Sequence, residues 1–391
     1  MGKLKALYIG GFYLPDKNAA AHRVLANGRI LNDLGYDIVY LGITKDRKQS
    51  NNIFDTHRKE NFGEDYKLKY PENKKDWLKY IISIKDIIKL IEIHDIKAVF
   101  AYNYPAIALN RLNKYCRQNK IKLISDCTEW YVPEGKLFFK LIKGFDSYFR
   151  MRYVHPKLDG IIAISRFLFE FYSPKNNNVI LLPPLVDLEN PKWKLVIDNI
   201  ESEAYKLIYA GSPDGKMKDH LGKIISSLVI LKEEYNLNFF FDIIGISSSE
   251  YNSIWKENTI PSSLSSNIRF HGRVSNSEAI KKVKEADFSI FIREENLVTK
   301  AGFPTKFVES ISCGIPVLTN KSSNIDDYLK DGTNGYFLDI TSIATLTESL
   351  KKVLSIRRDV VNRLKEECLK GQNFHYKNYL TIVKAMLEKD N

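Results

Sequence analysis

Short apolar runs alternating with helix-length segments, in two successive series, most limit what this chain can fold into. The first series is KALYIGG (Lys5–Gly11), YDIVYLGI (Tyr36–Ile43), KAVFAYN (Lys97–Asn103), KLISDC (Lys122–Cys127), DGIIAIS (Asp159–Ser165) and VILLPP (Val179–Pro184). Runs this short, separated by helical patterns, make parallel βαβ units. Ala19–Leu34 reads as a helix stopped by Gly35, and Trp77–Ile93 as one amphipathic helix. The polar region 47–73 has room for a short strand and loops. Leu185–Glu203, polar and carrying Pro191, reads as a linker, after which the pattern restarts. The second series is KLIYAG (Lys206–Gly211), NFFFDIIG (Asn238–Gly245), NIRFHG (Asn267–Gly272), DFSIFIR (Asp287–Arg293), IPVLTN (Ile315–Asn320) and GYFLDI (Gly335–Ile340). Ser275 and Glu278 form a capping-box pattern, and the chain is helical from Ser342 onward. The expected architecture is α/β: two Rossmann-like, doubly wound parallel-sheet domains, residues 1–190 and 191–371. Ligands in such sheets sit beyond the carboxyl ends of the strands, so two domains facing each other would enclose a cleft.

Composition narrows the class. A chain of 391 residues carrying 44% hydrophobic and 27% charged side chains can bury two cores. The net charge of +12 has two readings: attraction to nucleic acid, anionic lipid or a phosphorylated small molecule, or a lysine-rich solvated surface. Most of the excess is scattered lysine, which favours the second. Cys116, Cys127, Cys313 and Cys368 show no metal or disulfide spacing, and the seven histidines are equally dispersed. Free thiols suit a reducing compartment. The opening MGKLKALYIGG is too short for a signal peptide, and no run reaches the length of a membrane span. The expectation is a cytoplasmic protein.

The stretch FIREENLVTKAGFPTKFVESISCGIPVLTN (Phe291–Asn320) carries the densest functional signal. Arg293 ends a strand, so it faces the ligand-binding edge. After the loop Glu294–Pro304 a helix opens at Thr305 and Lys306, offering free N–H groups suited to phosphate or sugar hydroxyls. Glu309, one turn in, can accept hydrogen bonds from a vicinal diol such as ribose, or can simply complement the helix dipole. Spacing alone leaves both readings open.

This stretch resembles the signature of the retaining GT-B glycosyltransferases of family 4. That signature is Glu, seven residues, Glu, with Phe-Gly after the first Glu and GxPV after the second. Phe303, Glu309, Gly314, Pro316 and Val317 fit; Ala301 replaces the first Glu and Pro304 the glycine. The variant is similar to enzymes of bacterial surface-polysaccharide assembly. The family places an Arg after the first strand of the second domain and a Lys soon after, both on the donor diphosphate. In IYAGSPDGKMKDHL (Ile208–Leu221) Lys218 fits the Lys, with Lys216 beside it, while Ser212 stands at the Arg position. Arg293 is the preferred replacement, with Arg273 the other cation at a strand end. In GGFYLP (Gly10–Pro15) the resemblance implies that Gly10 and Gly11 let backbone approach the donor phosphates, with His22 a neighbouring candidate. Gly302, Phe303 and Pro304 would offer backbone groups to the donor sugar.

On the acceptor side, SDCTEWYVPEGK (Ser125–Lys136) places Asp126, Glu129 and Trp130 after a strand, joined by Asn103 of YNYP. A carboxylate there could orient or deprotonate a hydroxyl and an aromatic ring could stack on a sugar; a turn cap is the alternative for Asp126. Residues 135–157, basic with interleaved aromatics, read either as a core-facing helix or as a peripheral contact with the anionic inner face of the membrane. The resemblance implies transfer of a sugar from a nucleotide-sugar donor to a glycan or lipid-linked glycan acceptor, with retention. Lys218 and Arg293 would stabilise the leaving group, and residues 372–391 would cross back to the first domain. No Asp-x-Asp motif is present, so no metal and no further cofactor is expected, and no nucleic-acid motif accompanies the charge. An inverting GT-B enzyme or a GT-B sugar-nucleotide epimerase, a non-catalytic nucleotide-sugar binder and an RNA-binding protein remain as rivals.

Overall fold

The computed structural model describes residues 3–46, 50, 52–130, 137–194, 204–211, 213, 219–256 and 260–389. The chain divides into two compact units, Met1–Leu185 with Lys300–Phe303 and Tyr376–Asn391, and Val186–Thr299 with Pro304–His375.

The first unit is built on β1 (Leu4–Gly10), β2 (Tyr36–Thr44), β3 (Arg58–Glu60), β4 (Gly63–Lys69), β5 (Ile96–Tyr102), β6 (Lys122–Cys127), β7 (Gly160–Ala163) and β8 (Val179–Leu181). They form one sheet in the order β3-β4-β2-β1-β5-β6-β7-β8. Neighbours are parallel except β3 and β4, which form an antiparallel edge. Side chains along β1 alternate between two cores, as the pleat requires. Ala6 and Tyr8 pack with Val24 and Leu31 of the helix Ala19–Asp33 and with Val383 and Met386 of the helix Leu380–Glu388. Leu7 and Ile9 pack with Leu90 and with Leu109 and Leu112 on the other face. The strand order reverses between β1 and β5. There Gly10 has φ +153°, and a Cβ on it would stand 2.6 Å from the Tyr102 carbonyl oxygen, so only glycine fits.

The second unit carries β9 (Tyr205–Ala210), β10 (Phe239–Ile244), β11 (Ile268–Gly272), β12 (Phe288–Ile290), β13 (Val317–Thr319) and β14 (Gly335–Phe337). These six strands, all parallel, run β11-β10-β9-β12-β13-β14, so this sheet's order reverses between β9 and β12.

Several local expectations are corrected. Trp77–Ile93 is two helices, Lys74–Ile82 and Lys85–His94, because Ser83 adopts an extended conformation (ψ 133°). The run Ile81, Ile82, Ile84 around it is β-branched, which weakens helix propagation. The region 47–73 holds two strands, β3 and β4, with a 3-10 turn at Ile53–Thr56. Strand β12 ends at Ile290, so Arg293 stands three residues beyond it rather than on it. Ser275 accepts the Glu278 N–H at 3.3 Å and caps the helix Asn276–Lys284.

Candidate functional site

The reversal between β9 and β12 concentrates the buried charge of the second unit. Arg293 is 4% exposed. Its backbone is held by Asn320, whose side chain accepts the Arg293 N–H at 2.8 Å and donates to the Arg293 carbonyl at 2.8 Å. That exchange continues the β12–β13 pairing past the end of the strands. Beyond β9, Asp219 is 2% exposed and is pinned by its neighbour, since His220 N–H bonds to the Ile292 carbonyl at 3.0 Å. Tyr209 donates its hydroxyl to Asp219 Oδ2 at 2.7 Å. Lys306, in the first turn of the helix Thr305–Ser312, reaches the same carboxylate and lies 4.3 Å from the centre of the Tyr209 ring.

Two cations thus meet one carboxylate. Burial pulls the Asp219 carboxyl upward, but Lys306 and then Arg293 outweigh it and hold it below its ordinary value. Burial also lowers Arg293, against the pull of Asp219 and Tyr209. The Arg293 Nε to Asp219 Oδ1 separation is 3.6 Å, too long for a hydrogen bond. Nε and Nη1 of Arg293, both buried, have no hydrogen-bond partner among the described residues. A buried guanidinium with unspent donors is costly unless an acceptor arrives. Gly211 makes room for this arrangement: a Cβ there would stand 2.7 Å from Lys306 Nζ.

Glu309 is partly buried on the helix Thr305–Ser312. Asn276 at the start of its helix donates to Glu309 Oε1 at 3.2 Å and accepts from Lys192 Nζ at 3.3 Å. Burial raises the Glu309 carboxyl, opposed by the Asn276 amide and then by Lys192 and Lys306. Pro304 caps the helix with no side-chain hydrogen bond, which leaves its first amides to other acceptors. Arg273 is exposed and neutralised by Glu250 at 2.7 Å. Lys216, Lys218 and Ser212 lie outside the described residues.

The first unit distributes its candidates differently. Asp126 is 0% exposed. Arg23 donates to it from Nε at 2.9 Å and Nη2 at 2.7 Å, Tyr8 hydroxyl at 2.6 Å and Asn27 amide at 3.2 Å. Arg23 Nη1 also reaches the Leu182 carbonyl at 3.0 Å. This carboxylate ties the sheet to the helix Ala19–Asp33; it is neither a turn cap nor a base open to an acceptor, and that expectation is corrected. Asn103 (φ 43°) donates to Thr128 Oγ1 at 2.6 Å and accepts the Thr128 N–H at 3.1 Å, fixing the loop after β6. Glu129 is exposed in that loop. Trp130 is half-buried, meeting Phe167 and Phe171 edge-on at 5.7 and 5.2 Å. Gly302 and Phe303 belong to this unit, whereas Pro304, Thr305 and Lys306 belong to the second. Ala301 is buried, and its carbonyl accepts the Ser165 hydroxyl at 2.7 Å. Gly11 lies just past β1, partly exposed, with nothing within 4 Å of where a Cβ would be.

Sequence reasoning missed Asp219, Tyr209, Arg23 and Asn276. It also missed a buried polar cluster in which His155 lies 3.1 Å from Ser125 Oγ, 3.3 Å from Cys127 Sγ and 2.8 Å from Tyr172 hydroxyl. A signal for Asp219 was its place in the same segment as Lys216 and Lys218; Asp126 had none that separated buried ion pair from catalyst. Among the described residues, no group of three His, Cys, Asp or Glu is placed to hold a metal ion, and no helix is long and apolar enough to cross a membrane.

This architecture is the GT-B fold. Residues 189–370 match the family model of the glycosyl transferases group 1. Among solved structures, sucrose-phosphate synthase from Thermosynechococcus elongatus is similar at TM-score 0.73 and 10% identity, covering 98% of each chain. Alr3699/HepE from Anabaena, solved with UDP and glucose, is similar at TM-score 0.67 and 13% identity, over 98% of this chain and 99% of that one. The lipopolysaccharide outer core galactosyltransferase WaaB is similar at TM-score 0.62 and 13% identity, again over 98% and 99%. A search of curated proteins gives no significant match.

Proposed function

We propose that this protein is a retaining glycosyltransferase of family 4 type that moves a sugar from a nucleotide diphosphate donor to a hydroxyl of a glycan or lipid-linked glycan in cell-surface polysaccharide assembly. The observation that carries the reading is the Arg293–Lys306–Asp219 cluster, a buried site with excess positive charge and unspent donors at the point where the sheet order reverses. A donor diphosphate satisfies those donors, and the charge that develops on it as the glycosidic bond breaks is stabilised by cations already in place. Lys218 joins them from the segment before Asp219. Glu309 accepts the ribose hydroxyls, with Asn276 setting the rotamer of its carboxylate. No divalent metal takes part. UDP and glucose in the Anabaena structure and the role in the name of WaaB support the donor class and the setting. On the acceptor side Glu129 remains as the accessible carboxylate. A second reading, a nucleotide-sugar binder without turnover, is favoured by Ala301, an apolar residue where relatives carry a carboxylate.

A thermal-shift panel of UDP, GDP, dTDP, ADP and CMP, without and with magnesium, tests the donor site. One diphosphate should raise Tm without metal, and the shift should vanish in Arg293→Ala and Glu309→Ala. No shift from any nucleotide would sink the reading. Donor turnover with the anomeric configuration of the product followed by NMR separates transferase from binder and retention from inversion.

A further inference from the structure

The two helices produced by the break at Ser83 leave a groove that the donor and acceptor chemistry does not use. No residue of the helix Lys74–Ile82 is buried. It is held to the first unit through aromatic contacts, Trp77 edge-on to Tyr70 at 5.7 Å and Tyr80 tilted against Tyr104 at 5.8 Å. Its opposite face presents Lys75, Leu78, Lys79 and Ile82, at helical spacing, with Leu78 59% exposed. The second helix repeats the pattern with Lys85, Ile88 and Lys89. These faces and Arg111, which donates to the Ile82 carbonyl at 2.8 Å, line an open groove of about 710 Å³.

The floor is aliphatic, the rim carries five cations, and no acidic side chain lines it. Lys75, Lys79 and Lys85 have no ion-pair partner among the described residues. Aliphatic surface alone would suit any apolar partner. Lysines paired with aliphatic residues on both walls suit a surface that is at once anionic and apolar.

We propose that this groove seats on anionic phospholipid, its lysines meeting lipid phosphates while the exposed Leu78 enters the acyl boundary and the floor of Ile82 and Ile88 backs it. The proposal does not rest on the transfer reading. It adds a second lipid contact to the segment 135–157, where Phe145, Tyr148 and Tyr153 are 61%, 49% and 48% exposed. It also divides the labour: the groove supplies the preference for anionic lipid, and the helix Leu137–Phe149 supplies apolar insertion.

The test is flotation of the full-length protein with vesicles of phosphatidylcholine alone and of phosphatidylcholine mixed with phosphatidylglycerol. Wild type should prefer the anionic vesicles. Lys75→Ala/Lys79→Ala and Lys85→Ala/Lys89→Ala should each weaken that binding more than tenfold, from roughly fivefold for each lysine at such a surface. Phe145→Ser should weaken binding to both vesicles and keep the preference. Equal partition to the two vesicles, undiminished binding of both lysine pairs, or displacement by millimolar inorganic phosphate would overturn the proposal, the last by making the groove a site for soluble phosphate. Each variant is also melted with the nucleotide identified above. A retained nucleotide shift with lost flotation isolates the lipid surface, and the converse isolates the donor site. If no nucleotide shifts wild type, the transfer reading fails while the flotation result still decides this one.

Discussion

Two glycines set opposite demands on a single methyl group. At Gly10 an added Cβ meets the backbone oxygen of Tyr102 at 2.6 Å, with φ at +153°; neither can yield without moving the sheet. Gly10→Ala should cost about 3 kcal/mol by chemical denaturation. At Gly211 the obstacle is the tip of a flexible side chain, Lys306 Nζ at 2.7 Å. Gly211→Ala should therefore change stability by less than about 1 kcal/mol yet, on the proposed donor site, weaken nucleotide binding about tenfold, because it displaces the ammonium proposed to donate to the ligand. Calorimetric titration beside denaturation measures both; a tenfold loss of affinity at Gly10 with no loss of stability would contradict the packing argument. His155 gives a pH signature. Burial, then the charge of Arg150, holds its imidazole well below its ordinary value of 6.5. The folded form thus refuses a proton that the unfolded form accepts. The stability that His155 contributes should be fully present above about pH 6.5 and fall as pH drops below it, with a slope approaching 1.4 kcal/mol per pH unit from this one group. His155→Gln should flatten that slope, leaving the smaller contributions of His94 and His220, which burial shifts the same way. At this scale Arg293 and Glu309 were legible because their place after a strand and at a helix start is written in local pattern. The Asp219 and Arg23 partnerships were not, because a charge's partner depends on which strand ends become neighbours.

The elements are joined by one ion pair more than by any loop. Arg23 on the helix Ala19–Asp33 and Asp126 on β6 meet 103 residues apart in sequence, with Tyr8 of β1 and the carbonyl of Leu182 after β8 in the same network. Removing one partner leaves the other charge buried and unpaired. Asp126→Ala should cost about 3–5 kcal/mol, whereas Arg23→Met with Asp126→Leu should recover much of it. A variant Asp126→Asn that stays folded and matches wild type in the proposed sugar transfer would confirm that this carboxylate positions elements; a rate loss with unchanged stability would restore it as a base. The sequence pattern placed the strands well because apolar runs record burial on both faces. It joined Lys74–Ile82 to Lys85–His94 because the apolar period continues across Ser83, and periodicity carries no record of a backbone that turns extended at one residue.

At the scale of the whole molecule the chain closes on its first unit. Residues 376–391 belong to that unit, and Tyr376, Val383, Met386 and Leu387 are 6%, 2%, 2% and 7% exposed within its core. Tyr376 also donates to Asp33 at 3.1 Å and the Asn178 amide to the Met386 carbonyl at 3.0 Å. Burying apolar side chains of this size contributes about 1.5–3 kcal/mol each. Four of them match the total net stability of about 5–15 kcal/mol typical of a domain. A chain ending at His375 should therefore lose the first unit's cooperative melting while the second unit, whose own sheet and core are untouched, keeps its transition. Scanning calorimetry with and without added nucleotide reads this directly, since a ligand at the proposed site of Arg293, Lys306 and Glu309 should raise the transition of the unit that contains them. A truncated chain that melts as wild type would mean the last helix adds little to the first core. Loss of both transitions would mean the units do not fold independently. That residues 300–303 pack with the first unit, inside the signature stretch of the second, could not be read from sequence. Their apolar and glycine residues look the same whichever core they serve, and the Ser165 hydroxyl on the Ala301 carbonyl is one contact that ties them to the first unit.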